Sequence, residues 1–403
     1  MLKWLLRAIV VLALVLGALA AFNYERLIRV SAVLSLFSED KIVNNFSNMN
    51  GPFESVPVPS AGDVEPWETA PSPRAVTYSY NGKIKNVEDW LEQTKTTSLI
   101  VVRDGVITNE DYYLGTSADD LRVSWSLAKS FLSATFGVAV GKGRINIDET
   151  VETYVPTLKG SAYEGAKVRD VLTMSSGIEF NEDYLDFWSD INQMGRVLAL
   201  GGSLDAFTEG QKEREREPGT AWKYVSIDTH VLSMVLRAAT GKTLPEYMAE
   251  RLITPIGFEK QPYFVSDSHK NAFSLGGLNA TSRDYARFAQ MILQEGQWNG
   301  KQIVPADWIR TSTSAIAPAP ADISSIFGYG YQWWIPPMSD GTHSTDEVLG
   351  RGIYGQYIYI NRSVNTVIIK TSAHRGFRND GEKGKLVHLE TIAMFRSIAG
   401  INN

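Results

Sequence analysis

Ser126 and Lys129 stand three residues apart at the head of an apolar run from Leu127 to Val140. On a helix that spacing puts the hydroxyl and the amine on one face. A lysine at its ordinary value near 10.4 is no base at neutral pH, but a buried one can lose its proton and then take one from a neighbouring hydroxyl. In the first helical turn Ser126 also meets unpaired backbone N–H groups and the positive end of the helix dipole, which favour an anion developing on a bound carbonyl. The chemistry this pattern suits is acylation of a serine. Chance alone gives about one Ser-x-x-Lys in a chain of this size. A second stands at Ser38-Glu39-Asp40-Lys41, with no apolar helix behind it, and reads as solvated surface.

Tyr224 is the third candidate. A turn at Pro218-Gly219 delivers it ahead of an amphipathic stretch, Thr229 to Ala239, that carries Val231, Leu232 and Val235. A phenol near pKa 10 needs a cation to give up its proton, and Lys129 is expected to be that cation, so that Tyr224 relays a proton between Ser126 and a leaving group. Ser226 would hold the network by hydrogen bonding.

These residues need a scaffold, and the composition supplies one. The chain has 403 residues, 44% hydrophobic and 21% charged, which is globular. There are no cysteines, which excludes thiolate metal sites, cysteine nucleophiles and disulfides. The five histidines show no metal spacing, and neither a metal nor an organic cofactor is implied. A net charge of -6 without a basic stripe argues against nucleic acid as a partner. Short alternating runs from Ser98 to Val102 and at Val106-Ile107 flank Asp104-Gly105 and predict a hairpin. The middle is helical, and Thr281-Ser282 caps a stretch from Arg283 to Gln294. Tyr354 to Ile360 and Asn365 to Thr371 read as strands, and Leu386 to Ile398 as a closing helix. The expected class is α+β: an antiparallel sheet flanked by helices, built from both ends of the chain around an inserted, mainly helical subdomain at about residues 126–265.

The N-terminus departs from this average. Lys3 and Arg7 precede an uncharged stretch, Ala8 to Tyr24, about 25 Å long as a helix and close to the thickness of a hydrocarbon core. Residues 1–37 are therefore expected to be a membrane anchor or signal segment, with Ala18-Leu19-Ala20 as a small-residue cleavage site. Residues 38–75, crowded with prolines, read as a linker or strap, and residues 76–403 as the working domain. The expected location is the cell envelope, with that domain outside the cytoplasm.

Together these motifs resemble the serine β-lactamase and penicillin-binding-protein superfamily, in particular the branch with class C β-lactamases, family VIII esterases and 6-aminohexanoate-dimer hydrolase. Ser126-Leu127-Ala128-Lys129 and Tyr224-Val225-Ser226 carry the resemblance. It is strengthened by Asp170-Val171-Leu172-Thr173-Met174-Ser175-Ser176-Gly177, Gly276-Gly277-Leu278-Asn279-Ala280-Thr281-Ser282-Arg283-Asp284 and Tyr329-Gly330-Tyr331-Gln332-Trp333-Trp334, in the family's order. The resemblance implies a β-lactamase/transpeptidase-like fold with Ser126 as the acylated nucleophile, Lys129 as its proton partner and Tyr224 as the acid-base residue. Ser226 replaces the asparagine of the usual Tyr-x-Asn. The third family box departs further: Gly350-Arg351-Gly352-Ile353 lacks the lysine or histidine at its first position. Gly352 would let a substrate carbonyl approach the strand edge, the Ile353 N–H would complete an oxyanion hole, and Arg351 could bind a carboxylate bidentately. Lys370-Thr371-Ser372 is read as structural. Tyr184, in the acidic stretch Glu179 to Tyr184, resembles a tyrosyl substrate contact.

The implied activity is hydrolysis of a small amide or ester through an acyl-enzyme. A β-lactamase or D,D-peptidase is the alternative within that chemistry, and a non-catalytic envelope binding protein the alternative outside it. Oligomeric state is not legible in the sequence.

Overall fold

The computed structural model describes residues 2–60, 64–321, 325–376 and 381–401. Strands β1 (Thr96–Arg103) and β2 (Val106–Tyr112) are joined by Asp104 and Gly105, both at positive φ (49° and 83°). That is the left-handed pair a two-residue hairpin turn requires, and Asp-Gly adopts it at low cost. Five more strands come from the C-terminal quarter: β3 (Gly328–Tyr329), β4 (Trp334–Ile335), β5 (Glu347–Gly352), β6 (Gln356–Asn361) and β7 (Thr366–Ser372). The seven form one antiparallel sheet in the order β3-β4-β5-β6-β7-β1-β2. Pairing of β7 with β1 closes the two ends of the chain onto each other, in the α+β class expected.

Period-two alternation splits the apolar side chains between the two faces. Ile100, Val102, Ile358, Ile360, Val367 and Ile369 face the larger core, whereas Leu99, Val101, Tyr357, Tyr359 and Ile368 face a smaller one. The longer helices are α1 (Leu2–Phe22), α2 (Tyr24–Ser35), α3 (Leu127–Gly141), α4 (Asp190–Leu200), α5 (Asp228–Thr240), α6 (Ser282–Leu293) and α7 (Gly381–Ile398). The larger core takes α3, α5 and α6; the smaller lies under Ile392 to Ile398 of α7. Helix α3 is buried from Leu127 to Ala139, which explains its apolar run. At the start of α6 the Thr281 hydroxyl accepts the Asp284 N–H at 3.1 Å, satisfying one of the orphan donors of the first turn.

The described residues of 38–75 form a strap rather than a free linker. Phe46, Met49 and Val58 are buried in the larger core, and Ser55–Pro57 pairs antiparallel with Tyr263–Val265. Farther along, Ile107 N–H donates to Glu68 O at 3.0 Å, Ala70 N–H to Ile107 O at 3.0 Å and Ser72 N–H to Thr108 O at 3.1 Å. The strap thus covers the edge strand β2, where prolines are tolerated and where an open edge would template aggregation.

Among the described residues no helix is long and apolar enough to cross a membrane. The stretch expected as a membrane anchor or signal segment forms α1, whose uncharged part from Ala8 to Phe22 is roughly 22 Å long. Its side chains from Trp4 to Leu19 are nevertheless largely apolar and exposed. Helix α2 is no part of a separate anchor. It packs against α4, and Arg29 holds Glu54 of the strap at 2.8 Å.

Candidate active site

The chain reaches Ser126 through a forced turn. A short strand, Arg122–Val123, pairs with Leu278–Ala280, and Trp125 then adopts φ +45° immediately before Ser126. A bulky residue in the left-handed region costs about 1–3 kcal/mol and persists only where its surroundings over-determine it. Here they do: the Trp125 ring lies 5.5 Å from Phe46, 5.7 Å from Tyr354 and 6.0 Å from Phe37, centroid to centroid. Ser126 takes the N-cap position of α3 without spending its hydroxyl on the cap, so the oxygen is left for the site.

One helical turn on, Lys129 Nζ lies 3.3 Å from Ser126 Oγ and 3.3 Å from Ser226 Oγ, and donates to Leu275 O at 2.8 Å. Lys129 is fully buried, and burial pushes its amine down to about 7 against the pull of the Glu182 and Asp228 carboxylates. Nζ also sits 5.3 Å from the centre of the Tyr224 ring, and Ser126 and Ser226 are polar groups that favour ionisation of the Tyr224 phenol. The three residues expected to carry the chemistry therefore meet.

The protonation pattern differs from the expected one. Burial, reinforced by the charge of Glu182, raises the Tyr224 phenol above its ordinary value against the opposing pull of Ser126 and Ser226. Lys129 does not act as the cation that would lower it, because the amine itself is held near neutrality. Tyr224 is thus a neutral phenol able to donate, and Lys129 is the group able to accept. Its ring is fixed by stacking on Trp334 at 5.2 Å.

Glu182 organises the site, and neither spacing nor residue type singles it out within its acidic loop. Its carboxylate accepts the Ser226 N–H at 3.0 Å, the Ser226 hydroxyl and the Tyr184 hydroxyl at 2.6 Å. Ser226 is consequently less a substrate contact than a bridge between this carboxylate and Lys129. Tyr184 does reach the site and lines its cavity, but its hydroxyl donates a hydrogen bond to Glu182. A second buried acid, Asp228, accepts from Tyr163 and Ser176, both at 2.8 Å, and burial raises its carboxyl to about 7.

Glu182→Gln should therefore lower kcat/KM by about 10–100-fold through misplacement of Ser226 and Lys129. It should also move the acid limb of the pH profile to lower pH, because the Glu182 charge holds a proton on Lys129. A pH-rate profile of both forms checks this; an unmoved limb would remove Glu182 from the network.

The third box is also at the site. A Cβ on Gly352 would lie 2.5 Å from Ser124 O and 3.1 Å from Trp125 Cβ, so glycine is what lets the end of β5 press against the segment leading to Ser126. Ile353, the next residue, lines the same cavity as Ser126. Arg351 is no surface arginine: its guanidinium carbon lies 4.1 Å from the Trp334 ring and 4.7 Å from Phe327, and its Nε and Nη1 have no hydrogen-bond partner. Burial brings it down to about 10. Lys370 is buried in β7, where its Nζ donates to Ser372 Oγ, away from the cavity that Ser126 lines.

Comparison with known proteins shows the family to which this chain belongs. A family model described as Beta-lactamase matches residues 85–391. The 6-aminohexanoate-dimer hydrolase of Paenarthrobacter ureafaciens is 29% identical over 303 residues, covering 72% of this chain and 76% of that one. A solved structure from Bacillus anthracis, assigned as a 6-aminohexanoate-dimer hydrolase, superposes with a TM-score of 0.76 at 25% identity, covering 90% of this chain and 95% of that one. A family VIII carboxylesterase shares the fold, with a TM-score of 0.56 at 16% identity over 77% of this chain and 96% of that one. Since the match takes in the helix bearing Ser126 and Lys129, the turn bearing Tyr224 and the strand ending at Gly352, the chain belongs to the β-lactamase family, as a serine hydrolase.

Proposed function

We propose that this protein hydrolyses a small amide or ester through an acyl-enzyme on Ser126. Neutral Lys129 takes the Ser126 proton as Oγ attacks the carbonyl carbon, and the N–H groups of Ser126 and Ile353 hold the oxyanion. Tyr224 gives its proton to the departing nitrogen or oxygen as the bond to carbon breaks, and the proton held by Lys129 returns to the phenol. Water, deprotonated by the same pair, then releases the acid and restores Ser126. The observation that supports this reading best is a buried, near-neutral amine 3.3 Å from the serine hydroxyl. Treating the full chain with an alkyl fluorophosphonate and mapping the adduct by peptide mass spectrometry tests it. The expected adduct is on Ser126; no adduct there would favour the binding-protein reading.

A second reading draws on Arg351. Its unpartnered Nε and Nη1 suit a substrate carboxylate, as in β-lactams and cell-wall peptides. Hydrolysis of nitrocefin at a kcat/KM comparable with that for p-nitrophenyl esters would favour it. The location we propose is the cell envelope, outside the cytoplasm. It is supported by Lys3 and Arg7 in the first turns of α1, ahead of an uncharged apolar stretch whose side chains are exposed.

A further inference from the structure

Ser126 opens into a cavity of about 330 Å³ between α2, α4 and the start of α3, within the range of small-ligand sites. Its walls come from three parts of the chain distant in sequence. Val33, Leu36 and Phe37 enter from the end of α2, Met49 and Phe53 from the strap, and Ile191 and Leu198 from α4. Phe37 is stacked on Tyr354 at 4.9 Å and 11°, so the wall from α2 is locked to the residue that follows Ile353. Among the described residues the only charged side chain lining the cavity is Arg196. Its guanidinium is turned onto aromatic rings, 4.3 Å from Phe187 and 5.7 Å from Trp188, and donates to Phe187 O at 2.6 Å. Leu185, Phe187 and Trp188 are 57%, 60% and 74% exposed, an apolar rim beside the cavity that the family chemistry at Ser126 does not need.

Gly195 is the telling position. It lies in the interior of α4, where glycine is a destabilising choice, and its backbone is not in the left-handed region that would demand one. A Cβ built there meets nothing within 4 Å, and the residue lines the cavity on the same helical stripe as Ile191 and Leu198. The missing side chain leaves space beside the nucleophile.

Resting on the hydrolase reading, we propose that this cavity is an acyl pocket for an uncharged, medium-length alkyl chain, and that Gly195 sets the length it admits. A charged 6-aminohexanoyl group would bring an ammonium into a pocket that no carboxylate among the described residues lines, Glu182 being engaged by Ser226 and Tyr184 behind its wall, at a high desolvation cost. The relative named for that dimer does not, on this view, share its acyl preference with this chain.

The test compares acetate and octanoate p-nitrophenyl esters, and ethyl and octyl fluorophosphonates, on the full chain and on Gly195→Leu and Gly195→Ala. Each buried methylene is worth about fourfold, so wild type should prefer the octanoyl ester by at least about tenfold in kcat/KM. Gly195→Leu should reduce that octanoate-to-acetate ratio by about tenfold or more, Gly195→Ala by less. Because the readout is a ratio within one protein, partial misfolding, which lowers both rates together, does not imitate it. Labelling of Ser126 without chain-length preference, or a ratio that leucine at position 195 leaves unchanged, overturns the proposal while sparing the hydrolase reading. Failure of every ester and both probes at Ser126 takes down the hydrolase reading itself. A 6-aminohexanoyl amide hydrolysed better than its hexanoyl counterpart would also overturn the proposal.

Discussion

Ser126→Ala, Lys129→Met and the double substitution should each lose on the order of 10⁴-fold or more in kcat/KM for an activated ester, and the double variant should be little worse than either single one. The near-equality follows from the geometry. Lys129 Nζ, 3.3 Å from Ser126 Oγ, has value only when there is a hydroxyl to deprotonate, and the hydroxyl is a weak nucleophile without it. Losses that add, as for independent sites, would show that the two residues do not act as a unit.

The same pair sets the pH profile. The productive form of Lys129 is the neutral amine, and burial places its transition at about 7. Activity should therefore be at its plateau above that value and fall tenfold per pH unit below it. A steady-state profile of the wild type checks this. A plateau extending unchanged to pH 5 would mean that another group takes the proton.

Tyr224→Phe is the second large effect, expected at about 10²–10⁴-fold in kcat. Two features separate its role from mere packing. Phenylalanine keeps the stacking on Trp334, so substrate affinity and fold should change little. The phenol, raised by burial and by Glu182, acts as a donor to the leaving group, so the deficit should shrink as the leaving group becomes more acidic. Measuring the loss across a series of aryl esters of rising leaving-group pKa tests this; an equal loss for all of them would confine Tyr224 to a positioning role.

Several features were legible in the chain because they are local. Three-residue spacing on an apolar run places Ser126 and Lys129 on one helical face whatever the fold around them. Asp104-Gly105 specifies its turn by its own backbone preferences. Period-two alternation determines which side chains of β1, β6 and β7 share a face, and Thr281 marks the start of α6 through a side chain that caps its own helix.

What tertiary structure alone decided is everything that depends on burial and on segments far apart in sequence. Spacing cannot say that Glu182 would be the carboxylate reaching Ser226, 44 residues on, or that Lys129 would be too deeply buried to serve as the cation that lowers the Tyr224 phenol. Nor does the proline-rich stretch before residue 75 reveal itself as a packed strap, because proline content reports backbone stiffness and not what the backbone lies against. The apolar wall that α2 sets beside Ser126 is invisible for the same reason: its residues are unremarkable hydrophobes until packing against α4 places them next to the nucleophile. Proton affinity and pocket shape are properties of the space around a residue, and only the folded chain encloses that space.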